Sequence, residues 1–185
     1  MDLHNAIYGR RAIHAFTNDD VPDTVLNSLI EAAIQAPSAL NSQPWRFLVI
    51  HSRGLLADYS ERAKTHYLAT FSPGRDPHAM RHDMLNQPGF NLFYNAPAAI
   101  VIYAAASGQF SNGDCCFAGQ NLMLAAFSLG LGTCPIGFAQ SWFDQSEVKM
   151  RLNVPPDLTA VLPIAIGVPV APAPKTSRNS PILMR

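Results

Sequence analysis

Hydrophobic positions along this chain fall into blocks whose spacing switches between helical and extended. Asp2 precedes a short block running to Tyr8 that Gly9 closes, the pattern of a capped and then terminated helix. After Pro22, residues Leu26, Leu29, Ile30, Ala33 and Ile34 form one stripe at the helical period, and Pro37 ends the run. Residues 45–51 predict a strand with Phe47-Leu48-Val49-Ile50 at its centre. Leu55, Leu56, Tyr59, Ala63 and Tyr67 predict a helix over 55–68, and the wholly apolar stretch 98–105 a strand buried on both faces.

Asp114 then reads as the cap of a helix to about Leu129 that is apolar nearly all round. Such a helix has no water-facing side, so it belongs in the middle of a core or at an interface. Gly130-Leu131-Gly132 ends it, and a strand follows around 133–136. Asp144 and Glu147 have capping-box spacing for a short helix to about Leu152, which Val154-Pro155-Pro156 stops. Residues 159–168 predict the last strand. These blocks describe one domain over 1–185, an α+β or α/β sandwich whose helices flank a sheet of about four strands. The proline-rich stretch 169–185 reads as an extended arm.

Composition changes the picture in one respect. Hydrophobic residues make up 48% of the 185, yet only 14% are charged, with 13 basic and 13 acidic side chains. That balance offers no field to attract nucleic acid or an anionic membrane, and the apolar content excludes disorder. It also leaves too few charges to cover an ordinary monomer, which points to surface buried against something else. The N-terminus lacks the basic and apolar regions of a secretory leader, and no apolar run approaches the roughly 18 residues of a membrane span. Cys115, Cys116 and Cys134, without C-x-x-C spacing, read as buried free thiols in a reducing cytoplasm.

Four segments bear on chemistry. Arg10, Arg11 and His14 form a cationic cluster that suits a phosphate, or else a solvated basic turn. Pro37-Ser38-Ala39-Leu40-Asn41-Ser42-Gln43-Pro44-Trp45 presents donors and acceptors suited to the edge of a planar heterocycle, though polar turns use the same residues. Gly130 to Gly137 has the wrong glycine spacing and the wrong element order for a dinucleotide fold. Lys175 and Arg178 in the arm either solubilise a tail or close a phosphate site with Arg10. His78 and His82 at i,i+4 fall beside Pro77, Arg75 and Arg81 in what reads as a loop or lid, so no metal site is expected. Ser128 sits in an elbow-like run, but late in a helix, and reads as core; a hydrolase acting through it is a remote alternative. No acid, base or nucleophile stands out, which suggests that a cofactor carries the chemistry.

These segments together resemble the nitroreductase family of FMN-dependent oxidoreductases, over essentially the whole chain. The family's R-R-S-x-R/K-x-[FY] appears as Arg10 to Phe16, its P-S-x-x-N-x-Q-P-W as Pro37 to Trp45, and its D-x-x-x-A-x-Q-N helix with L-G-L-G-T-x-x-I-G as Asp114 to Gly137, with Gly119 where alanine is usual. Ile166-Gly167-Val168-Pro169 and the basic arm complete the match. The resemblance implies a three-layer α+β sandwich with a mainly antiparallel sheet, in an intertwined homodimer holding two flavins at the subunit interface. It implies FMN contacts from Arg10, Arg11, Ala12 and His14, from Pro37, Ser38, Ala39, Asn41 and Gln43, from Pro135, Ile136 and Gly137, and from Lys175 and Arg178. The helix after Asp114 would pack at the interface and the 169–185 arm would cross the partner.

The implied activity is reduction of nitroaromatics, quinones or activated alkenes with NADH or NADPH, by a ping-pong hydride transfer through the flavin. Specialised dehydrogenation or reductive dehalogenation, or a flavin-binding redox sensor with little turnover, are the alternatives. Tyr67, Phe71, Phe90 and Phe93, with Tyr94, either line the acceptor pocket or serve as core and subunit-contact aromatics. Two departures matter. Ala12 replaces a serine hydroxyl, and His14 replaces a fixed cation with an imidazole only partly protonated near neutrality. Together they predict a weaker, more pH-sensitive FMN site.

Overall fold

In the computed structural model, residues 1–70, 82–105 and 108–184 are described. Seven α-helices and four strands are present among them: α1 (Leu3–Gly9), α2 (Asp23–Ala33), β1 (Trp45–Ile50), α3 (Arg53–Thr70), α4 (His82–Leu85), β2 (Ala98–Ala105), α5 (Ser111–Ser128), β3 (Gly132–Pro135), α6 (Gln140–Phe143), α7 (Ser146–Arg151) and β4 (Leu158–Gly167). The sheet runs β1-β2-β4-β3 with every pair antiparallel. The α+β sandwich expected from the sequence is therefore the fold. None of the described helices is long and apolar enough to cross a membrane.

Strand β2 shows why the centre of the chain is continuously apolar. Its side chains alternate, with Ala99, Val101 and Tyr103 facing α3 and α6, and Ala98, Ile100, Ile102 and Ala104 facing α2 and α5. Both faces are covered, so no position can be polar. Beyond β3, residues 11–17 add an irregular outer edge. The Ile13 amide donates to the Thr133 carbonyl at 3.0 Å and the Thr17 amide to Val168 at 2.8 Å. The approach requires Gly132, where a β-carbon would lie 2.6 Å from Ile13 Cγ1. Val170 then donates to Ala15, which starts the arm along the same edge.

The structure corrects several local expectations. Helix α5 begins at Ser111 rather than behind an Asp114 cap, so Asp114 lies inside it. The helix buries one face only; Cys116 is exposed, as is Ser128, whose hydroxyl donates back to Ala125. Cys115 and Cys134 are buried as expected, and burial pushes each thiol up to about 12. The Asp144–Glu147 capping box does not form, because α7 starts behind Gln145 with no side-chain cap. Asp144 Oδ1 instead accepts from the Ala160 amide at 3.1 Å and from the buried Lys149 ammonium at 3.4 Å. Lys149 also donates to the carbonyls of Pro156 and Leu158, so the pair ties α7 to the start of β4.

At the opposite end of the sheet, both ring nitrogens of His51 lie 2.7 Å from carboxylates, Nε2 from Asp20 and Nδ1 from Asp23. This clamp joins the end of β1 to the start of α2, and only the doubly protonated ring can donate to both acids. Hydrogen bonding to Asp20, then to Asp23, raises the His51 pKa above 6.5 against the opposing effect of burial. The bond to His51 lowers Asp20 below 3.8. A raised histidine stabilises the fold fully below 6.5 and ceases to do so as pH rises through its folded value. A lowered carboxylate stabilises above 3.8 and fails as pH falls through its folded value. The clamp should therefore add most between those limits. Melting curves across pH should show His51→Gln losing stability relative to the parent near pH 5 (about the middle of that window) and converging with it at alkaline pH; parallel curves would exclude the clamp.

Candidate functional site

Alternation along the extended edge puts Ala12 and His14 on one side, where they line a groove of about 600 Å³ with Cys134, Pro135, Ile136 and Gly137. Tyr67, Met84, Leu92, Tyr94, Phe138 and Gln140 complete its wall. Tyr94 packs on the His14 ring at 4.7 Å between centroids, and Tyr67 meets Phe138 edge-on at 4.9 Å. The wall thus combines three aromatic side chains, set at steep angles to their neighbours, with residues 134–137 of β3 and the turn after it.

The other side of the edge carries Arg11 into α1. Its Nη1 donates to the carbonyls of Tyr8 and Arg10 at 2.9 and 2.7 Å, which caps the end of that helix. Its buried Nε has no hydrogen-bond partner among the described residues. Burial first, then the charges of Arg11 and of Arg178 from the arm, lower the pKa of Arg10. None of these three arginines forms an ion pair among the described residues. Two ends of the chain have therefore brought like charges together without a carboxylate; Arg10 and Arg11 line a separate pocket of about 420 Å³ with Gly132, Thr133 and the start of the arm, which adjoins the groove at Thr133 and Cys134. Lys175 is exposed and makes no such contact among the described residues.

The polar segment at Pro37 lies elsewhere. Ser38 Oγ accepts from the Gln43 amide at 3.0 Å, and Gln43 Nε2 donates to Asn41 Oδ1 at 3.1 Å. Leu40, Asn41 and Gln43 hold φ values of 53°, 54° and 45°, the left-handed region that non-glycine residues rarely enter. Pro37, Ser38 and Ala39 form a shallow hollow with Phe110, Asp114 and Phe117 near the start of α5. Gly9, just before Arg10, packs on the Phe127 ring near the end of the same helix. Phe127 lies 13 positions after Asp114, so the two segments sit about 20 Å apart along the helix axis.

Of the aromatic residues expected to line an acceptor pocket, Tyr67 lines the groove, and Phe90 packs behind it on Tyr94 at 5.8 Å. Phe93 is wholly buried against Phe143 in the core. Phe71 and His78 lie outside the described residues, as does the His82 side chain. Phe138 and Gln140 were not anticipated, although both follow directly on Gly137, and Met84 lies on a four-residue helix too short to carry a periodic signal.

The antiparallel sandwich has known counterparts. A model of the nitroreductase family matches residues 7–168, and the chain belongs to that family. Among curated proteins it is 29% identical to the NADH dehydrogenase of Thermus thermophilus, over 91% of this chain and 87% of that one. A nitroreductase with bound FMN from Bacteroides fragilis has the same fold, with a TM-score of 0.83 and 23% identity over 100% of this chain and 99% of that one. An iodotyrosine deiodinase bound to FMN and 3-iodo-L-tyrosine superposes with a TM-score of 0.80 at 25% identity, covering 99% and 98% of the two chains.

The uncompensated charge at Arg10 makes a direct prediction. In chloride at low ionic strength, Arg178→Ala should raise the melting temperature by about one to two degrees, because it relieves repulsion. In inorganic phosphate the stabilisation seen in the parent should shrink in the variant. A variant that melts like the parent in both salts would show that the two guanidiniums do not act together.

Proposed function

We propose that the protein is an FMN-dependent oxidoreductase that reduces electron-poor aromatic acceptors, quinones or activated alkenes with NADH or NADPH. The observation that carries this reading is the arginine cluster without a carboxylate, lining a pocket that adjoins a groove with Tyr67, Tyr94 and Phe138 in its wall. FMN has the matching chemistry: a dianionic phosphate for Arg10 and Arg178, and a ring system for the groove that Tyr67, Tyr94 and Phe138 help to line. When bound, the flavin would supply the ping-pong hydride transfer between the nicotinamide and the acceptor. The protein's part is to bind and orient. Arg10 and Arg178 would neutralise the phosphate, with Lys175 able to join from the arm; Arg11, turned into α1, would instead set the course of the edge. His14, steadied by Tyr94, would add a donor at the position where Ala12 offers none. Backbone at Pro135, Ile136 and Gly137 would run beside the ring, and Tyr67 and Phe138 would hold the acceptor flat and keep water out.

Ser38, Asn41 and Gln43 enter this reading only if a second copy is present, since they lie about 20 Å from Arg10 within one chain. A two-fold axis that pairs α5 antiparallel with its counterpart would bring one chain's 37–43 loop to the other chain's edge. The outward face of α5 suits this, with Phe117 54% and Leu129 57% exposed. We infer a homodimer with two such sites, with the 169–184 arm reaching over the partner. Reductive dehalogenation is the second reading, favoured by the likeness to the deiodinase.

The purified protein should be yellow, bleach on addition of NADH or NADPH, and run at about twice its 20.1 kDa mass. With a quinone or nitroaromatic acceptor, initial-rate plots should be parallel. Arg10→Ala should weaken FMN binding by about 10- to 100-fold, the equivalent of one charge-assisted hydrogen bond. A colourless protein that takes up no added FMN would defeat the reading, and halide release from an iodophenol at a rate far above quinone reduction would favour the second.

A further inference from the structure

Asp114 is the only buried carboxylate among the described residues, 5% exposed at the start of α5. Its own amide is committed to the helix, donating to the Phe110 carbonyl at 3.0 Å. Its Oδ2 accepts from the backbone amide of Ala39 at 3.1 Å, a residue 75 positions away. The loop it meets is strained, with three non-glycine residues at positive φ within four positions. The bonds from Gln43 to Ser38 and Asn41 lie inside the loop, so they set its shape but not its position. Apart from a 3.4 Å contact from Arg46 to the Gln43 carbonyl, the Asp114 bond is, among the described residues, the only hydrogen bond that joins residues 37–43 to another element. A buried acid that is neither a helix cap nor an ion-pair partner calls for another explanation, and the loop supplies one.

We propose that Asp114 is a positioning residue for cofactor binding: by accepting the Ala39 amide it holds loop 37–43 in the strained shape in which that loop grips the flavin. The inference rests on the flavin reading above and assigns the acid a role that the carboxylate serves as an acceptor, not as a charge. Asparagine at this position keeps the acceptor oxygen and alanine does not. A second route removes the donor instead. Ser38 already has the extended conformation that proline prefers before it (φ −140°, ψ 150°), and Ala39 opens a short 3-10 turn where proline fits.

The test uses the full-length protein with added FMN, following FMN affinity, the visible circular dichroism of the bound flavin, and the melting temperature with and without FMN. Asp114→Ala should weaken FMN binding about tenfold, alter the flavin dichroism, and lower the stabilisation that FMN brings by more than it lowers the melting temperature of the free protein. Asp114→Asn should restore all three. If Asp114→Ala does not fold, Ala39→Pro should show the same loss with the carboxylate intact. Parent-like FMN affinity and dichroism in Asp114→Ala or Ala39→Pro would overturn the inference and leave the flavin reading standing, as would an Asp114→Asn variant as impaired as the alanine. A parent protein that takes up no FMN would overturn both.

Discussion

The close seating of α5 on the sheet governs the rest of the structure. A β-carbon at Gly119 would lie 2.4 Å from Leu162 Cδ2 and 3.5 Å from Ile102 Cδ1, so β-strand side chains fill the space that an alanine would need. This contact fixes the rotation of the helix, turning Cys115, Ala118, Leu122, Met123 and Ala126 inward and leaving Phe117 facing out. It also fixes where the two ends fall. The start of α5 meets the polar loop through Asp114, and the end meets the arginine edge through Phe127 and Gly9. A rigid helix thus holds two chemically specialised segments about 20 Å apart.

In the proposed dimer the same helix would account for the shortage of charge. An outward face bearing Phe110, Phe117 and Leu129 needs no ionic cover if another copy of the chain lies on it, and 14% charged residues then suffice. The charges that remain are unevenly used. At the end of β1 one histidine, His51, is shared between two acids, Asp20 and Asp23, whereas Arg10, Arg11 and Arg178 meet with no acid among them. Concentrating like charge costs the isolated fold some stability, a cost often met at binding sites.

Most of the elements were legible in the sequence because their signals are local. The 98–105 strand was read without error, since burial on both faces leaves a continuous apolar run, and α2 was read from its stripe and its prolines. The errors cluster where a side chain serves a distant partner. Asp144 has capping-box spacing, but its carboxylate bonds Ala160 and Lys149; Asp114 has the look of a cap, but its carboxylate bonds Ala39. Local spacing identifies an acid near a helix start and cannot tell which backbone amide it will meet. Cys116 and Ser128 were misread as buried for a related reason: an all-round apolar helix does not reveal which face turns inward, and here that is decided by Gly119.

The candidate site was legible as segments and not as a site. His14 and residues 135–137 line one groove, and Arg10 lines the pocket next to it. Ser38, Asn41 and Gln43 line neither, and no property of those residues could have said so, because distance along a helix enters only after the fold is known. The aromatic wall shows the converse. Phe138 and Gln140 belong to it because a short turn after Gly137 swings them into the groove, while Phe93, from the stretch expected to line it, turns into the core against Phe143. Residue types name the chemistry a segment can perform, but the seat of α5 decides which segments of one chain can perform it together.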